Sequence, residues 1–427
     1  MTAVSNPALS NSGLALAERL FDDLLAHTSD EPGVTRAAFG EGEDYAHRLM
    51  TEVGRELGLE IETDGVGNLY LTYAGQEPGL PGWIVGSHLD SVPHGGNFDG
   101  AAGVIAGLSV ISTLKRRGVR PRRPITVMAI RAEESTWFPV SYLGSRAALG
   151  RLPADALVTA RADTGETLAA HMAALGWRPE DIAAGRAHLR PERVHGFIEV
   201  HIEQGPVLEA EALPVGLVTA IAGSFRYRSA RCLGEWGHSG AVPRGHRIDA
   251  VFGLADLVVA LDAFWGSLEA EGQEATITVG QVATPTELHA FSKVPGEVAF
   301  CLDVRSRSAD VLKRIEEELE RVSADICRRR GVRFDWGERT GSQPAELDVA
   351  LRRGLADAAT AATIPFREMP SGAGHDTAAF SAAGIASALI FVRNQNGSHN
   401  PDEAMRLEDF GAAVDVLVRY FTDNASS

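Results

Sequence analysis

Six residues with side chains able to ligate metal or carry protons stand just beyond short apolar runs: His88, Asp99, Glu133, Glu134, His201 and His399. Imidazoles and carboxylates in such a set suit zinc, and also manganese, cobalt or nickel. Two cations about 3.5–4 Å apart repel each other and need a shared carboxylate, for which Asp99 is the candidate. The adjacent Glu133 and Glu134 can divide the labour. Neighbouring side chains on extended backbone point apart, so one can hold metal while the other acts as general base on a water. Taken singly, a histidine after a strand is more often a polar loop residue, and a Glu-Glu pair is usually a solvated surface. The Gly95–Gly103 stretch contains no G-x-x-x-x-G-K-[ST] and is a weak phosphate cradle. It is the recurrence of such residues at successive strand ends that points to a metal-dependent hydrolase.

These residues are positioned by short apolar runs alternating with helical stretches. Runs at Trp83–Val85, Ile125–Ile130, Phe197–Val200 and Ser387–Val392 alternate with helical spacing at Asp44–Leu57, Ala101–Lys115, Leu347–Ala361 and Leu407–Phe421. That alternation implies α/β architecture with a mixed, mostly parallel sheet, whose sites lie beyond the carboxyl ends of the strands. Ile61–Tyr73 reads as extended chain with a turn. From about Leu217 the order becomes strand (Phe225–Gly234), helix (Asp249–Trp265), two strands (Ala275–Val282, Glu297–Arg305), helix (Ala309–Arg330), a ferredoxin-like unit. The parse is a discontinuous catalytic domain, 1–216 with 341–427, interrupted by an inserted domain, 217–340. The segment before Leu14 is expected to fray.

Composition narrows the class. The formal charge of −17 argues against nucleic acid or an anionic membrane as partner. Cys232, Cys301 and Cys327 form no C-x-x-C, which excludes a thiolate zinc site and fits a reducing, cytoplasmic setting. The N-terminal MTAVSNPALSNSG shows no signal peptide, and no apolar run is expected to reach the ~20 residues of a spanning helix.

Together, Gly86-Ser87-His88-Leu89-Asp90-Ser91-Val92-Pro93, Gly95-Gly96-Asn97-Phe98-Asp99-Gly100, Glu133-Glu134, His201-Ile202-Glu203-Gln204-Gly205-Pro206 and Ser398-His399-Asn400-Pro401 resemble the M20 metallohydrolases. More narrowly they resemble the hydantoinase/carbamoylase amidase branch of N-carbamoyl-L-amino-acid hydrolases, allantoate amidohydrolases and β-ureidopropionases. The likeness runs from about Leu14 to Phe421, and clan peptidases generally carry an acid where His201 stands. The resemblance implies two divalent metal ions per subunit, one held by His88, Asp99 and His201, the other by Asp99, Glu134 and His399, with Glu133 as base. It implies that His238, in Gly237-His238-Ser239-Gly240, reaches the partner subunit's site in a homodimer. It further implies that Arg305 grips a substrate carboxylate, that Gln204, Gly372, His375 and the position of Ser292 contact substrate, and that the insert is a lid and dimerisation domain.

The expected activity is hydrolysis of a non-peptide C–N bond in a small carboxylate-bearing substrate, first an N-carbamoyl-L-amino acid. An allantoate amidohydrolase or N-acyl-amino-acid amidase comes next; a clan peptidase or an inactive binding protein is disfavoured. Three departures from the family pattern, Trp137 within Glu133-Glu134-Ser135-Thr136-Trp137-Phe138, Ser292 and Arg244, are expected to shape the pocket.

Overall fold

The computed structural model describes residues 11–424 and divides into two compact units, Met1–Ala220 with Glu346–Ser427, and Ile221–Ala345. Of the expected frayed start and missing signal segment, residues 1–10 lie outside the described residues, while Asn11–Gly13 already belong to helix Asn11–Thr28. The boundaries read at 217 and 340 fall inside strands, Val215–Ile221 and Arg339–Ser342, because the sequence texture changes there without a linker.

In the first unit a mixed sheet runs Glu60–Thr63, Leu69–Tyr73, Ile125–Ile130, Gly82–His88, Val194–Ile202, Ser387–Val392, Val215–Ile221. Its centre is parallel: Gly82–His88 pairs in parallel with Ile125–Ile130 and Val194–Ile202, as does Ser387–Val392 with Val194–Ile202. Antiparallel partners flank it on either side. Central strands buried on both faces need continuous apolar side chains, as in the run Ser387–Val392, all six of which are buried.

Helices Asn11–Thr28, Ala101–Arg116 and Leu407–Asp423 cover one face, with Leu20, Leu24, Ile105, Leu108, Phe410 and Leu417 packed on Val85, Val127, Ile198 and Ile390. On helix Thr377–Ala382, Phe380 stacks on Phe197 at 3.8 Å between ring centroids. The four parallel strands therefore end together, and His88, Glu133, His201 and the 394–399 loop follow from those ends.

The second unit is antiparallel throughout, ordered Val282–Ala283, Glu297–Ser306, Gly223–Leu233, Arg333–Asp335. Thr276–Thr278 also pairs with Glu297–Ser306, and Arg339–Ser342 with Gly223–Leu233. The single strand read over Ala275–Val282 is thus two short ones. Helices Ala250–Ala270 and Ala309–Arg330 cover one face, with Leu254, Leu257, Ile315 and Leu319 on Val298, Phe300, Leu302 and Val304. Asp249 caps the first through the N–H groups of Val251 and Phe252, and Ser308 the second through that of Val311. Ala250–Ala270 has 21 residues and a mean hydropathy of 1.6, which is long and apolar enough to cross a membrane and corrects the sequence expectation. Leu254, Leu257 and Leu261 of that helix are nevertheless buried in this unit's own core.

Candidate active site

The site grows from Asp99, whose buried carboxylate turns one oxygen to each of two donor groups. His201 Nε2 lies 2.9 Å and His88 Nε2 3.5 Å from Asp99 Oδ1. His399 Nε2 lies 3.3 Å from Asp99 Oδ2 and 3.1 Å from Glu134 Oε1. Ligand atoms of His88, Asp99 and His201 lie within 4.8 Å of one another, as do those of Asp99, Glu134 and His399. A third grouping, His88 with Glu133 and Glu134, places both glutamates against the same imidazole.

The donor chemistry fits divalent cations. His201 Nδ1 is 2.8 Å from the Ile202 carbonyl and His88 Nδ1 is 3.1 Å from that of Asp90, so both rings carry hydrogen on Nδ1. In its neutral form each ring presents an unprotonated Nε2 to Asp99 Oδ1, itself buried and accepting no hydrogen bond. Lone pairs converging on one point are what a cation satisfies. The electrostatics show the same demand for positive charge, which a proton on an imidazole can also meet. Contact with Asp99, then with Glu134, pushes His399 up to about 11. Burial opposes charge on His88, yet Asp90 and Asp99 still lift it well above the ordinary imidazole range.

Several residues outside the ligand set hold this arrangement, and the sequence reading gave them no role. Asp90 accepts the backbone N–H of Glu133 on one carboxylate oxygen and that of Glu134 on the other, both at 3.0 Å. Just before the pair, Ala132 has φ 53°, a left-handed conformation that costs an alanine energy. Buried Glu43 holds it there, accepting Ala132 N–H at 2.8 Å and pairing with Arg131 Nη1 at 2.9 Å. Buried Arg36 donates to the Leu89 carbonyl and the Asn97 side chain, bracing the loop from His88 to Asp99. Glu403 Oε1 accepts the N–H groups of Phe98 (2.9 Å) and Asp99 (3.1 Å). The signal available was Asp90, two residues beyond a histidine at a strand end; Glu43, Arg36 and Glu403 are distant in sequence and gave none.

Burial raises Glu133 well above the usual carboxylate range; His88 opposes this and Glu134, Asp376 and Asp90 add to it. Gln204 also reaches the cluster, but its Nε2 donates to Asp99 Oδ2 at 2.9 Å. His375 packs edge-on against His201 at 4.5 Å between ring centroids and bonds Ser371 Oγ at 3.0 Å, with burial holding it well below the ordinary imidazole range. Gly372 is exposed in the same loop. Trp137 is buried and donates its indole N–H to the Ser91 carbonyl at 2.7 Å, packed in a core with Phe39 and Phe138.

His238, Ser292 and Arg305 belong to the second unit. His238 is exposed on a two-residue strand paired with Lys293–Val294. Its Nδ1 accepts the N–H groups of Gly240 and Ala241, each at 3.2 Å, which leaves the hydrogen on Nε2. The Ser292 carbonyl accepts Ser239 N–H at 3.0 Å. Arg305 pairs with Asp303 at 2.8 Å. Arg244 is exposed, and nothing in the structure explains its departure from the pattern.

Residues 84–423 match the peptidase family M20/M25/M40. The chain belongs to this family. Its members are metal-dependent, and the chain is a hydrolase of carbon–nitrogen bonds other than peptide bonds. It is 34% identical over 409 residues to an N-carbamoyl-L-amino acid amidohydrolase of Geobacillus stearothermophilus, covering 94% of this chain and 96% of that one. It is 33% identical over 409 residues to a ureidoglycolate hydrolase of Arabidopsis thaliana, covering 92% and 83%. The solved structure of a hydantoinase/carbamoylase family amidase from Burkholderia multivorans superposes with a TM-score of 0.84 at 28% identity, covering 97% and 98%. The M20 fold thus accounts for the mixed sheet and the inserted antiparallel unit.

Proposed function

We propose that this M20 hydrolase cleaves the ureido C–N bond of an N-carbamoyl-L-amino acid, releasing amino acid, ammonia and carbon dioxide. The observation carrying this reading is Asp99 shared by two donor sets, with Glu133 beside them and outside both. His88, Asp99 and His201 would hold one divalent ion, and Asp99, Glu134 and His399 a second. Such ions, zinc, manganese, cobalt or nickel, would polarise the ureido carbonyl and acidify water.

Glu133 takes a proton from the attacking water as its oxygen bonds to the ureido carbon. The C–N bond then breaks, and Glu133 returns the proton to the leaving nitrogen. Its raised proton affinity suits a group that must both take and give. Arg305 pairs with the substrate carboxylate through a planar guanidinium, and Ser292, Gly372, His375 and Gln204 orient the rest.

His238 donates Nε2–H to the developing oxyanion from the partner subunit, the inserted unit serving as lid and dimer contact. Helix Ala250–Ala270 supports that contact, exposing Phe252 at 54% and Val259 at 68%. The unpaired Cys232, Cys301 and Cys327 support a reducing, cytoplasmic setting, and the net charge of −17 disfavours a nucleic-acid or anionic-membrane partner.

The test is a panel of carbamoyl, formyl and acetyl amino acids, allantoate and dipeptides, assayed with each metal in turn. Fastest turnover of carbamoyl amino acids is expected. Preference for allantoate selects the alternative amidohydrolase, and preference for dipeptides refutes the reading.

A further inference from the structure

Four consecutive N–H groups follow strand Ile125–Ile130, and each is taken by a side chain from another segment of the first unit. Asn68 Oδ1 accepts Arg131 N–H at 2.9 Å, Glu43 Oε1 that of Ala132 at 2.8 Å, and Asp90 those of Glu133 and Glu134 at 3.0 Å. Within this run the chain turns at Ala132, whose φ of 53° is left-handed. Beyond the turn, ligand atoms of Glu133, Glu134 and His88 lie within 4.8 Å of one another. The left-handed well disfavours alanine against glycine by roughly 5–30-fold in population, so something must hold Ala132 there.

Glu43 is placed to do so. Its other oxygen, Oε2, accepts Phe39 N–H at 2.7 Å and Arg131 Nη1 at 2.9 Å. Phe39 is left-handed too, at φ 54°. One buried carboxylate therefore anchors two strained residues, one just ahead of helix Glu41–Glu56 and one just past strand Ile125–Ile130. Arg131 is itself fixed, donating Nη2 to Asp44 at 3.0 Å and Nε to the Gly67 carbonyl at 2.9 Å. Burial pushes Glu43 up to about 7 against the pull of Arg131, so the carboxylate prevails above that value. Among the described residues, Glu43 bonds Phe39, Arg131 and Ala132 and no member of the donor sets around Asp99. Asp90 differs, because it also lies 3.4 Å from His88 Nδ1.

We propose that Glu43 is a positioning residue for the general base: by holding Ala132 N–H it keeps the left-handed turn that aims the Glu133 carboxylate, without acting on the metal donors. The proposal rests on the reading of Glu133 as base. A glutamine at 43 has one acceptor oxygen and one NH2 group. Turning the oxygen to Phe39 and Arg131 loses one contact rather than two, and it sets the NH2 against Ala132 N–H. The turn then has no holder. A glycine at 132 needs none, because it enters the left-handed well freely.

The experiment measures kcat, KM, metal content and melting temperature at about pH 8.5, with the panel substrate that wild type turns over fastest. Glu43→Gln should lose at least about tenfold in kcat, with KM within about threefold and about two metals per subunit retained. Adding Ala132→Gly to Glu43→Gln should raise kcat at least about threefold, whereas Ala132→Gly in wild type should bring no gain. A merely structural loss would fall on metal content and melting temperature and would not respond to glycine. Glu43→Asp keeps the charge for Arg131 but is one methylene short of Ala132; it should show the same pattern and serves if Glu43→Gln does not fold. Wild-type kcat in the Glu43 variants, metal loss matching the rate loss, or no recovery with glycine overturns the proposal while leaving Glu133 as base. Wild-type kcat in Glu133→Gln instead refutes the base reading, and with it this role, whatever the Glu43 variants do.

Discussion

Ser398 Oγ lies 2.7 Å from Asp99 Oδ2, so the residue preceding a predicted metal ligand touches the carboxylate shared by both donor sets. The same hydroxyl is 2.6 Å from Glu403 Oε2, although it has one hydrogen for two carboxylate oxygens. A glutamine at 403 keeps an acceptor for the N–H groups of Phe98 and Asp99 and supplies an N–H to Ser398. Glu403→Gln should therefore retain metal within about threefold of wild type. Glu403→Ala orphans two buried N–H groups at roughly 1–3 kcal/mol each and should lower retention at least tenfold. Elemental analysis after dialysis against a weak chelator checks both, and equal retention by the alanine variant would remove Glu403 from the site's support.

Gly100 begins helix Ala101–Arg116 at φ 66°, and a Cβ there would stand 2.4 Å from His88 Cε1. Gly100→Ala should tilt the His88 ring and cost at least tenfold in metal affinity. Gly79→Ala, where a Cβ meets nothing within 4 Å, is the control and should leave metal content unchanged. Normal metal content in the Gly100 variant would show that the ring moves freely.

Asp376 supplies a pH dependence. Burial, and then Glu199, push its carboxyl up to about 8, while Ser145 donates to it at 2.6 Å. Its unfolded value lies near 3.9. The folded state thus holds a proton that the unfolded state releases, so this group's contribution is fully present below about 4 and is lost as pH rises towards 8. Asp376→Asn lacks that loss. In metal-free protein its melting temperature minus wild type should climb between pH 5 and pH 8 and then level. A flat difference would mean Asp376 is charged in the folded state.

Much of this was legible because the site is built from strand ends. Apolar runs at Trp83–Val85 and Ser387–Val392 located the parallel strands, and His88 and His399 follow them directly or after a short loop. Glu43, Arg36 and Glu403 were not legible, since their roles arise only when distant segments meet. Glu43 looks like an ordinary helix-surface acid until Arg131 is folded against it. Trp137 was not legible either: close to Glu133 and Glu134 in sequence, it folds into a core with Phe39 and Phe138 and bonds the Ser91 carbonyl.

The division between the two glutamates has its own test. Glu134 touches His399 at 3.1 Å, whereas Glu133 stands outside both donor sets that share Asp99. Glu133→Gln should keep about two metals per subunit and lose ~10²–10⁴-fold in rate or more, because one group serves as base and then acid. A variant that loses metal yet turns over would exchange the assignments.

The action of His238 across subunits is the most exposed of these expectations, because a glycine-flanked surface turn explains the residue without any catalytic role. Its Nε2–H tautomer, fixed by two backbone N–H groups on Nδ1, gives it the donor an oxyanion needs. His238→Ala and Glu133→Gln should each be nearly inactive alone. Unfolded and refolded together, they should form hybrid dimers in which one site carries both defects and the other carries neither. With random pairing about half the dimers are hybrid, each with one good site, so activity should return to at most about a quarter of wild type. No recovery in verified hybrids would place His238 in its own subunit's site or outside catalysis altogether.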